Sequence, residues 1–132
     1  MHKADLIRFV TSVRHRPYGH RTGIIHAAYA MLRANRWPGT DRKEARVLLD
    51  WIGDNLAIPT RFTASRDPRA ARTGISWVKA SAKEHVGRIR RLAELIEAAG
   101  IAVHELRTTR PGYILYEDSH QVVALPFADT PR

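Results

Sequence analysis

Residues 75–127 read ISWVKASAKEHVGRIRRLAELIEAAGIAVHELRTTRPGYILYEDSHQVVALPF, and the fold prediction starts from this stretch. Residues 75–79 predict a short strand, and the pattern Ser81-x-x-Glu84 predicts a capping box at the start of a helix over 82–99. Gly100 stands where a glycine commonly ends a helix. Residues 102–107, 113–117 and 121–125 are the predicted strands that follow, the last two joined as a hairpin. We class the unit as β-α-β-β with a small mixed sheet, because a strand-helix-strand crossover favours parallel pairing.

The N-terminal part of the chain predicts helices. Apolar residues at helical spacing, including Leu6, Val10 and Val13, predict a helix over 3–14, and similar patterns predict helices over 24–35 and 42–56. The expected fold class is therefore α+β, with about three N-terminal helices followed by the β-α-β-β unit. The predicted division is a basic helical region over 1–58, an Arg/Pro-rich connector over 59–74 and the β-α-β-β module over 75–132, with one compact domain as the alternative.

Positive charge is concentrated in the first half of the chain. The sequence has 22 Lys and Arg against 13 Asp and Glu, a net charge of +9. Residues 1–74 hold most of the basic excess, whereas residues 75–132 are nearly neutral. The positive electrostatic field of this region favours polyanionic partners, either nucleic acid or an acidic protein surface. The alternative is the ordinary solvated surface of an Arg-rich protein.

Basic residues in the first half are interleaved with aromatic ones, a pattern that suits nucleic acid because guanidinium groups bind phosphate and aromatic rings stack on bases. Helices 24–35 and 42–56 also permit a helix-turn-helix interpretation. If Tyr18 and Trp37 pack in the core, the arginines would instead only solvate the surface. The candidate nucleic-acid-binding residues are Arg14, Arg16, Tyr18, Arg21, Arg42, Lys43, Arg46, Arg61, Arg66, Arg69 and Arg72.

Several classes of function lack their motifs. There is no cysteine, which excludes disulfides and thiolate metal sites and suits a reducing cytoplasm. The sequence has no glycine-rich phosphate loop, no G-x-S-x-G and no paired metal-binding histidines. No apolar run reaches membrane-spanning length. We therefore expect a non-enzymatic cytoplasmic protein without membrane attachment, cofactor or metal. Its Arg and Ala richness is typical of a bacterial source.

A metal-dependent hydrolase is an alternative that the carboxylates of the second half raise. Clustered carboxylates on adjacent strands can hold a divalent ion, and a lysine can join them. Asp118 is also explained as part of a hairpin turn, where aspartate is favoured. The candidate catalytic residues are Lys79, Glu105, Glu117 and Asp118.

A protein-interaction or inhibitor module is the other alternative. A small sheet leaves edge strands, and the apolar last strand over 121–125 would invite strand addition or homodimer formation if it lay at an edge. A charge introduced at Val123 would then break the dimer.

The second half also carries a distinctive set of residues: Trp77, Lys79, Ala82, Glu84-His85, Arg110-Pro111-Gly112-Tyr113-Ile114, Tyr116-Glu117-Asp118, Gln121-Val122-Val123-Ala124 and Pro126-Phe127. In this segment the chain resembles a group of small bacterial proteins without an established activity. The resemblance covers under half of the chain and implies no catalytic residue. It indicates that the second half is the defining module.

Overall fold

The computed structural model describes residues 5–14, 19–58 and 74–132, and within them the chain forms six strands and three helices. The strands are β1 (Leu6–Arg14), β2 (Arg21–Gly23), β3 (Ile75–Lys79), β4 (His104–Thr108), β5 (Tyr113–Glu117) and β6 (Gln121–Leu125). The helices are α1 (Ile24–Arg33), α2 (Gly39–Asn55) and α3 (Lys83–Ala98). The α+β class is confirmed.

The predicted N-terminal helix over 3–14 is wrong, because this segment is strand β1. Residues 6–11 are buried on both faces of the sheet, so the apolar residues do not alternate with polar ones. Without alternation, the positions of Leu6, Ile7 and Val10 also fit a helical spacing. The β-branched and aromatic character of the segment, from Ile7 to Val13, is what favours a strand. The protein therefore does not begin with a three-helix region.

Strand β1 lies at the centre of the sheet and pairs on both of its sides. Strand β4 pairs with it from Leu6–Thr108 to Val10–His104. On the opposite side, β3 pairs at Leu6 and Ile7, and β2 pairs from Val10 onward. Strand β6 follows β3, and β5 follows β6, so the order is β2-β1-β3-β6-β5 with β4 against β1. Every pairing is antiparallel, so the predicted small mixed sheet is wrong.

The second half of the chain runs β-α-β-β-β, so the label β-α-β-β counts one strand fewer than the four segments predicted there, all of which form strands. Strands β3 and β4 run in the same direction, since both are antiparallel to β1. They do not pair with each other, because β1 lies between them. The unit is a split β-α-β, and the strand that splits it comes from the N-terminal part of the chain.

The helices pack on one face of the sheet and share one core with it. Ile7 and Phe9 of β1 join buried residues of all three helices, among them Leu92 and Ile96 of α3. Residues from both 1–58 and 75–132 therefore build this cluster; the division into those regions stays a prediction. Neither α2 nor α3 has a side-chain hydrogen bond at its N-cap, so the predicted capping box at Ser81 does not form.

The sheet curls so that its second face is also buried. Strands β4 and β5 stand at its two sides, yet only residues 109–112 connect Thr108 to Tyr113. Five Cα steps span at most about 18 Å, whereas four flat strand spacings amount to about 19 Å. Curling shortens this distance and encloses Leu6, Trp77 and Val122 on the face away from the helices. In the described ranges, no helix has the length and apolar character needed to span a membrane.

Candidate functional site

Basic residues in the two halves of the chain differ in whether they form ion pairs with carboxylates. Among the ion pairs formed within the described residues, every cation belongs to residues 75–132. The basic residues of the first half make no such pair, so their charge is not locally neutralised. The pairs are Lys79–Glu117, Arg88–Glu84, Arg90–Glu105, Arg91–Glu44, Arg91–Glu94, Arg107–Glu105 and Arg110–Asp129.

Four of these unneutralised cations meet where α1 gives way to α2. We call Arg33, Arg36, Lys43 and Arg46 the α1–α2 basic surface; all four residues are exposed. Asn35 takes a positive φ of 54° and turns the chain between the two helices. The surface combines four cations within one corner of the molecule.

Arg42, which the sequence also assigned to nucleic acid, is used inside the fold. Its Nη1 donates to the carbonyl oxygen of Leu32 at 2.8 Å and contacts Oδ1 of Asn35 at 3.4 Å. The same carbonyl also accepts from the main-chain N–H of Asn35 at 3.2 Å, so Arg42 adds a second donor at the end of α1. Arg42 holds the corner together, and Lys43 and Arg46 extend from the same helix.

The aromatic residue beside this surface is not the one that the sequence indicated. Trp37 is only 4% exposed and donates from Nε1 to the carbonyl oxygen of Leu95, so it belongs to the core. Tyr29 is 44% exposed and lies one helical turn before Arg33. In the sequence, Tyr29 could have been found from its position four residues before Arg33, since residues four apart lie on the same side of a helix.

A cavity lies between the first turns of α1 and the last turns of α2. Ile24 and Tyr29 of α1 line it together with Leu49 and Gly53 of α2. The α1–α2 basic surface stands at the other ends of these helices, and none of its four residues lines the cavity. Ile58 and Gly74, the described residues on either side of the Arg-rich segment 59–73, line the same cavity.

The other predicted nucleic-acid contacts fall into two groups. Arg14 and Arg21 pair across β1 and β2, where their side chains donate to the main-chain oxygens of Gly19 and Arg132. Helix α1, about 15 Å long at 1.5 Å per residue, separates them from the α1–α2 basic surface. The other candidates, Arg16, Tyr18, Arg61, Arg66, Arg69 and Arg72, lie outside the described residues.

The candidate catalytic residues do not converge on one site. Lys79 pairs with Glu117 at 2.6 Å on the sheet face away from the helices. Glu105 opposes Phe9 on the helix-covered face, where it pairs with Arg107 and Arg90. The hydrogen bond from Arg107 is the main cause that lowers the pKa of Glu105, against the opposing effect of burial.

The carboxylate of Asp118 is fully used by its own hairpin. Oδ1 accepts from the main-chain N–H groups of His120 and Gln121 at 2.8 and 3.0 Å. Oδ2 accepts from the hydroxyl of Tyr116 at 2.8 Å and from Nε2 of Gln121 at 3.2 Å. Four donors on two oxygens leave little capacity for a metal ion. The turn interpretation accounts for Asp118.

A histidine cluster beside this hairpin was not predicted. The rings of His85 and His120 stack with centroids 4.2 Å apart, and Trp51 meets His85 edge-on at 4.9 Å. Nε2 of His85 faces the carbonyl oxygen of Asn55 at 2.7 Å, so this nitrogen carries the hydrogen. His85 is buried, and the cluster ties α2 and α3 to the β5–β6 hairpin.

The last strand is not an edge. Strand β6 pairs with β3 on one side and β5 on the other, and Val123 is 4% exposed. Strand addition at 121–125 is therefore closed off by β5. Within the described residues, β5 pairs with β6 along its whole length.

Within residues 5–14, 19–58 and 74–132, no group of three or more histidine or carboxylate side chains could hold a metal ion. No protein-family model, curated protein or solved structure matches the chain.

Proposed function

We propose that the chain is a non-enzymatic accessory or regulatory protein that binds nucleic acid, alone or within a nucleoprotein complex, through its Arg-rich first half. The observation that carries the proposal is the contrast in ion pairing. Six of the eight basic residues of the second half pair with carboxylates, whereas Arg33, Arg36, Lys43 and Arg46 stay unpaired with carboxylates among the described residues. Closely spaced exposed cations gain most from a polyanion, whose bound counterions they release.

The residues available favour binding to the phosphate backbone over reading of bases. Trp37 is buried and Arg42 is occupied by a carbonyl, so neither is free to contact a base. The remaining surface offers guanidinium and ammonium groups with one adjacent ring, Tyr29. Such a surface binds with little sequence preference and with strong salt dependence. A cytoplasmic location is part of the proposal, supported by the absence of cysteine.

The test is fluorescence anisotropy with labelled single-stranded DNA, single-stranded RNA and duplex DNA, between about 50 and 200 mM salt. The test variants are the double substitution Arg33→Ser/Arg46→Ser and the triple substitution Arg66→Ser/Arg69→Ser/Arg72→Ser. Each removed phosphate contact should lower the slope of log K against log salt by about 0.7–0.9 and weaken binding to every sequence alike.

The matched control is Arg90→Ser/Arg107→Ser, which removes the same number of charges as the double variant. Both arginines pair with Glu105, so these positions lie on the neutralised part of the surface. The control should leave the salt slope unchanged. Absence of binding to all three probes at the lowest salt would exclude nucleic acid and leave an acidic protein surface as the partner of this charge.

A protein-interaction module is the second candidate, favoured by exposed apolar side chains in and beside the β5–β6 hairpin. Ile114 is 45% exposed on β5, and Phe127 is 41% exposed just beyond β6. Exposed apolar side chains can form a contact for another chain or a second copy of this one. Light scattering over a range of concentrations tests for a homodimer.

A further inference from the structure

The cavity between the start of α1 and the end of α2 has the size and lining of a small-molecule site. Its volume is about 440 Å³, and its walls are mostly apolar, with Phe9 of β1, Ile24 and Ile25 of α1, and Leu49 and Ile52 of α2 among them. Pockets that bind small molecules occupy roughly 300–1,000 Å³ and combine apolar walls with a few polar groups. This cavity matches both criteria.

The cavity opens where the sheet has a gap. Strand β3 pairs with β1 only at Leu6 and Ile7, and β2 pairs with β1 only from Val10 onward. On this side of β1, Arg8 and Phe9 therefore have no strand partner within residues 5–14, 19–58 and 74–132. Both residues border the cavity, and Trp77 of β3 borders it from the opposite strand.

Arg8 is a buried cation without a carboxylate partner among the described residues. Its side chain is 9% exposed; Nη2 donates to the carbonyl oxygen of Arg21 at 2.6 Å, and Nη1 is buried with no acceptor in the described part of the chain. Burial, followed by the nearby charge of Arg21, lowers the pKa of Arg8 to about 10, so it stays protonated at neutral pH. A buried charge without a counter-ion is costly, and an anion that reaches it removes much of that cost.

A second donor lies on the same side of the gap. Continuing the β1–β3 register beyond Ile7–Val78 places Arg8 opposite Trp77, and both side chains belong to the sheet face away from the helices. A ligand among the side chains of α1 and α2 therefore reaches them through the gap. Nε1 of Trp77 is also buried without an acceptor among the described residues. Two donors, one of them charged, suit the two oxygens of a carboxylate. A phosphate monoester carries more charge and more acceptors than these groups can satisfy.

We propose that this cavity binds an amphipathic monocarboxylate, with the carboxylate at Arg8 and Trp77 and an apolar body among the side chains of α1 and α2. The inference goes beyond nucleic-acid binding and does not depend on it. The ligand would occupy the cavity, whereas nucleic acid would contact the α1–α2 basic surface.

The test is isothermal titration calorimetry of the full chain with octanoate, with octanamide as the uncharged probe of the same length. Octanoate should bind, and octanamide should bind about tenfold more weakly or not at all. Arg8→Gln should abolish this preference. Equal binding of the two probes, or no binding of octanoate, would overturn the proposal.

Because Arg8→Gln alters a buried residue, a second variant tests the cavity separately. Gly53 lines the cavity, and a Cβ at this position meets no atom within 4 Å, so Gly53→Leu adds a side chain at the cavity wall without a clash at Cβ. It should weaken octanoate binding about tenfold or more while the protein stays folded. Gly87→Leu on α3 is the matched control, since Gly87 also faces open space but lies outside the cavity lining, and it should bind octanoate normally.

One competing occupant is the chain itself, because Ile58 and Gly74 line the cavity and flank residues 59–73. If that segment fills the cavity, Gly53→Leu will lower the melting temperature relative to Gly87→Leu, and octanoate will not bind either variant or the unmodified chain. That result would refute a ligand site.

Discussion

The carboxylate of Asp118 accepts a hydrogen bond from the main-chain N–H of His120, two residues along the chain, at 2.8 Å. This contact closes the β5–β6 turn and presents the imidazole of His120 to the ring of His85. The same carboxylate accepts from Gln121, whose Nε2 in turn donates to the carbonyl oxygen of Ala57 at 2.6 Å. Asp118 therefore connects the hairpin to the segment that follows α2.

Asp118→Asn should destabilise the protein in a pH-dependent way. Burial raises the pKa of Asp118, but hydrogen bonds from His120, Tyr116 and Gln121 outweigh it and lower the pKa below 3.8. A carboxyl whose pKa is lower in the folded than in the unfolded protein stabilises the fold at a pH above its unfolded pKa. This stability is lost as the pH falls through its folded pKa. The variant should cost about 1–2 kcal/mol at pH 7, from the loss of charged hydrogen bonds.

Urea unfolding of the unmodified chain and of Asp118→Asn, from pH 7 to pH 3, measures this difference. The gap between the two proteins should narrow below about pH 4, because the unmodified carboxyl becomes protonated. Taking the difference removes the contributions of Glu44 and Glu105, whose pKa values are also lowered. A gap that stays constant across this range would show that the charge of Asp118 has no role.

The elements of the second half could be predicted because their signals are local. The strands at 75–79, 113–117 and 121–125 have the predicted bounds, and the helix over 82–99 is observed as Lys83–Ala98. Turn residues at 110–112 and 118–120 separate these strands. Their partners could not be predicted in the same way, since β4 pairs with a strand almost a hundred residues earlier in the sequence.

Strand β1 shows why a periodicity argument fails for a central strand. Its six residues 6–11 are buried whichever face they point to, so the period of two disappears from the sequence. Once β1 is taken as a helix, β3 and β4 have no strand to separate them, and a parallel pair becomes the expected arrangement. One misassigned segment therefore accounts for both errors in the predicted fold.

Prediction of the candidate site was partial for a similar reason. The sequence identified Lys43 and Arg46, whose type alone marks them as phosphate ligands. It could not separate Arg42, which donates to Leu32, from its neighbours. Arg8 was not singled out, because a single arginine in an apolar segment shows nothing about its burial until the strands around it are placed.

Gly112→Ala should be far more destabilising than Gly100→Ala, although both glycines have positive φ angles of 125° and 93°. A Cβ at Gly112 would collide with the main-chain carbonyl of Leu125, whereas a Cβ at Gly100 meets nothing. Gly100→Ala should cost about 1 kcal/mol from backbone strain. Gly112→Ala should cost several times more, because the β4–β5 link must shift away from β6. Chemical denaturation of both variants checks this, and equal losses would argue against the close approach.

Val123→Asp should unfold the protein instead of dissociating a dimer, since β6 lies inside the sheet and Val123 packs with Leu115. Burying an unpaired carboxylate at this position costs more free energy than the total stability of the folded protein. Ile114→Asp, at an exposed position of β5, should leave the melting temperature nearly unchanged. If the chain forms a homodimer, Ile114→Asp should convert it to a monomer in light scattering. If Val123→Asp is folded and monomeric, this prediction is wrong and the dimer interface lies on β6.

Tyr29→Ala should weaken binding to single-stranded nucleic acid more than binding to duplex nucleic acid. The ring is 44% exposed and lies one turn before Arg33, so an unpaired base can stack on it while its phosphate contacts the guanidinium. Loss of one stacked base costs about 1–3 kcal/mol in single-strand binding. Duplex binding depends on phosphate contacts alone and should change little. Tyr29→Phe keeps the ring and is the control. Equal weakening for both kinds of probe would assign Tyr29 to the stability of the α1–α2 corner, which the melting temperature of Tyr29→Ala would then report.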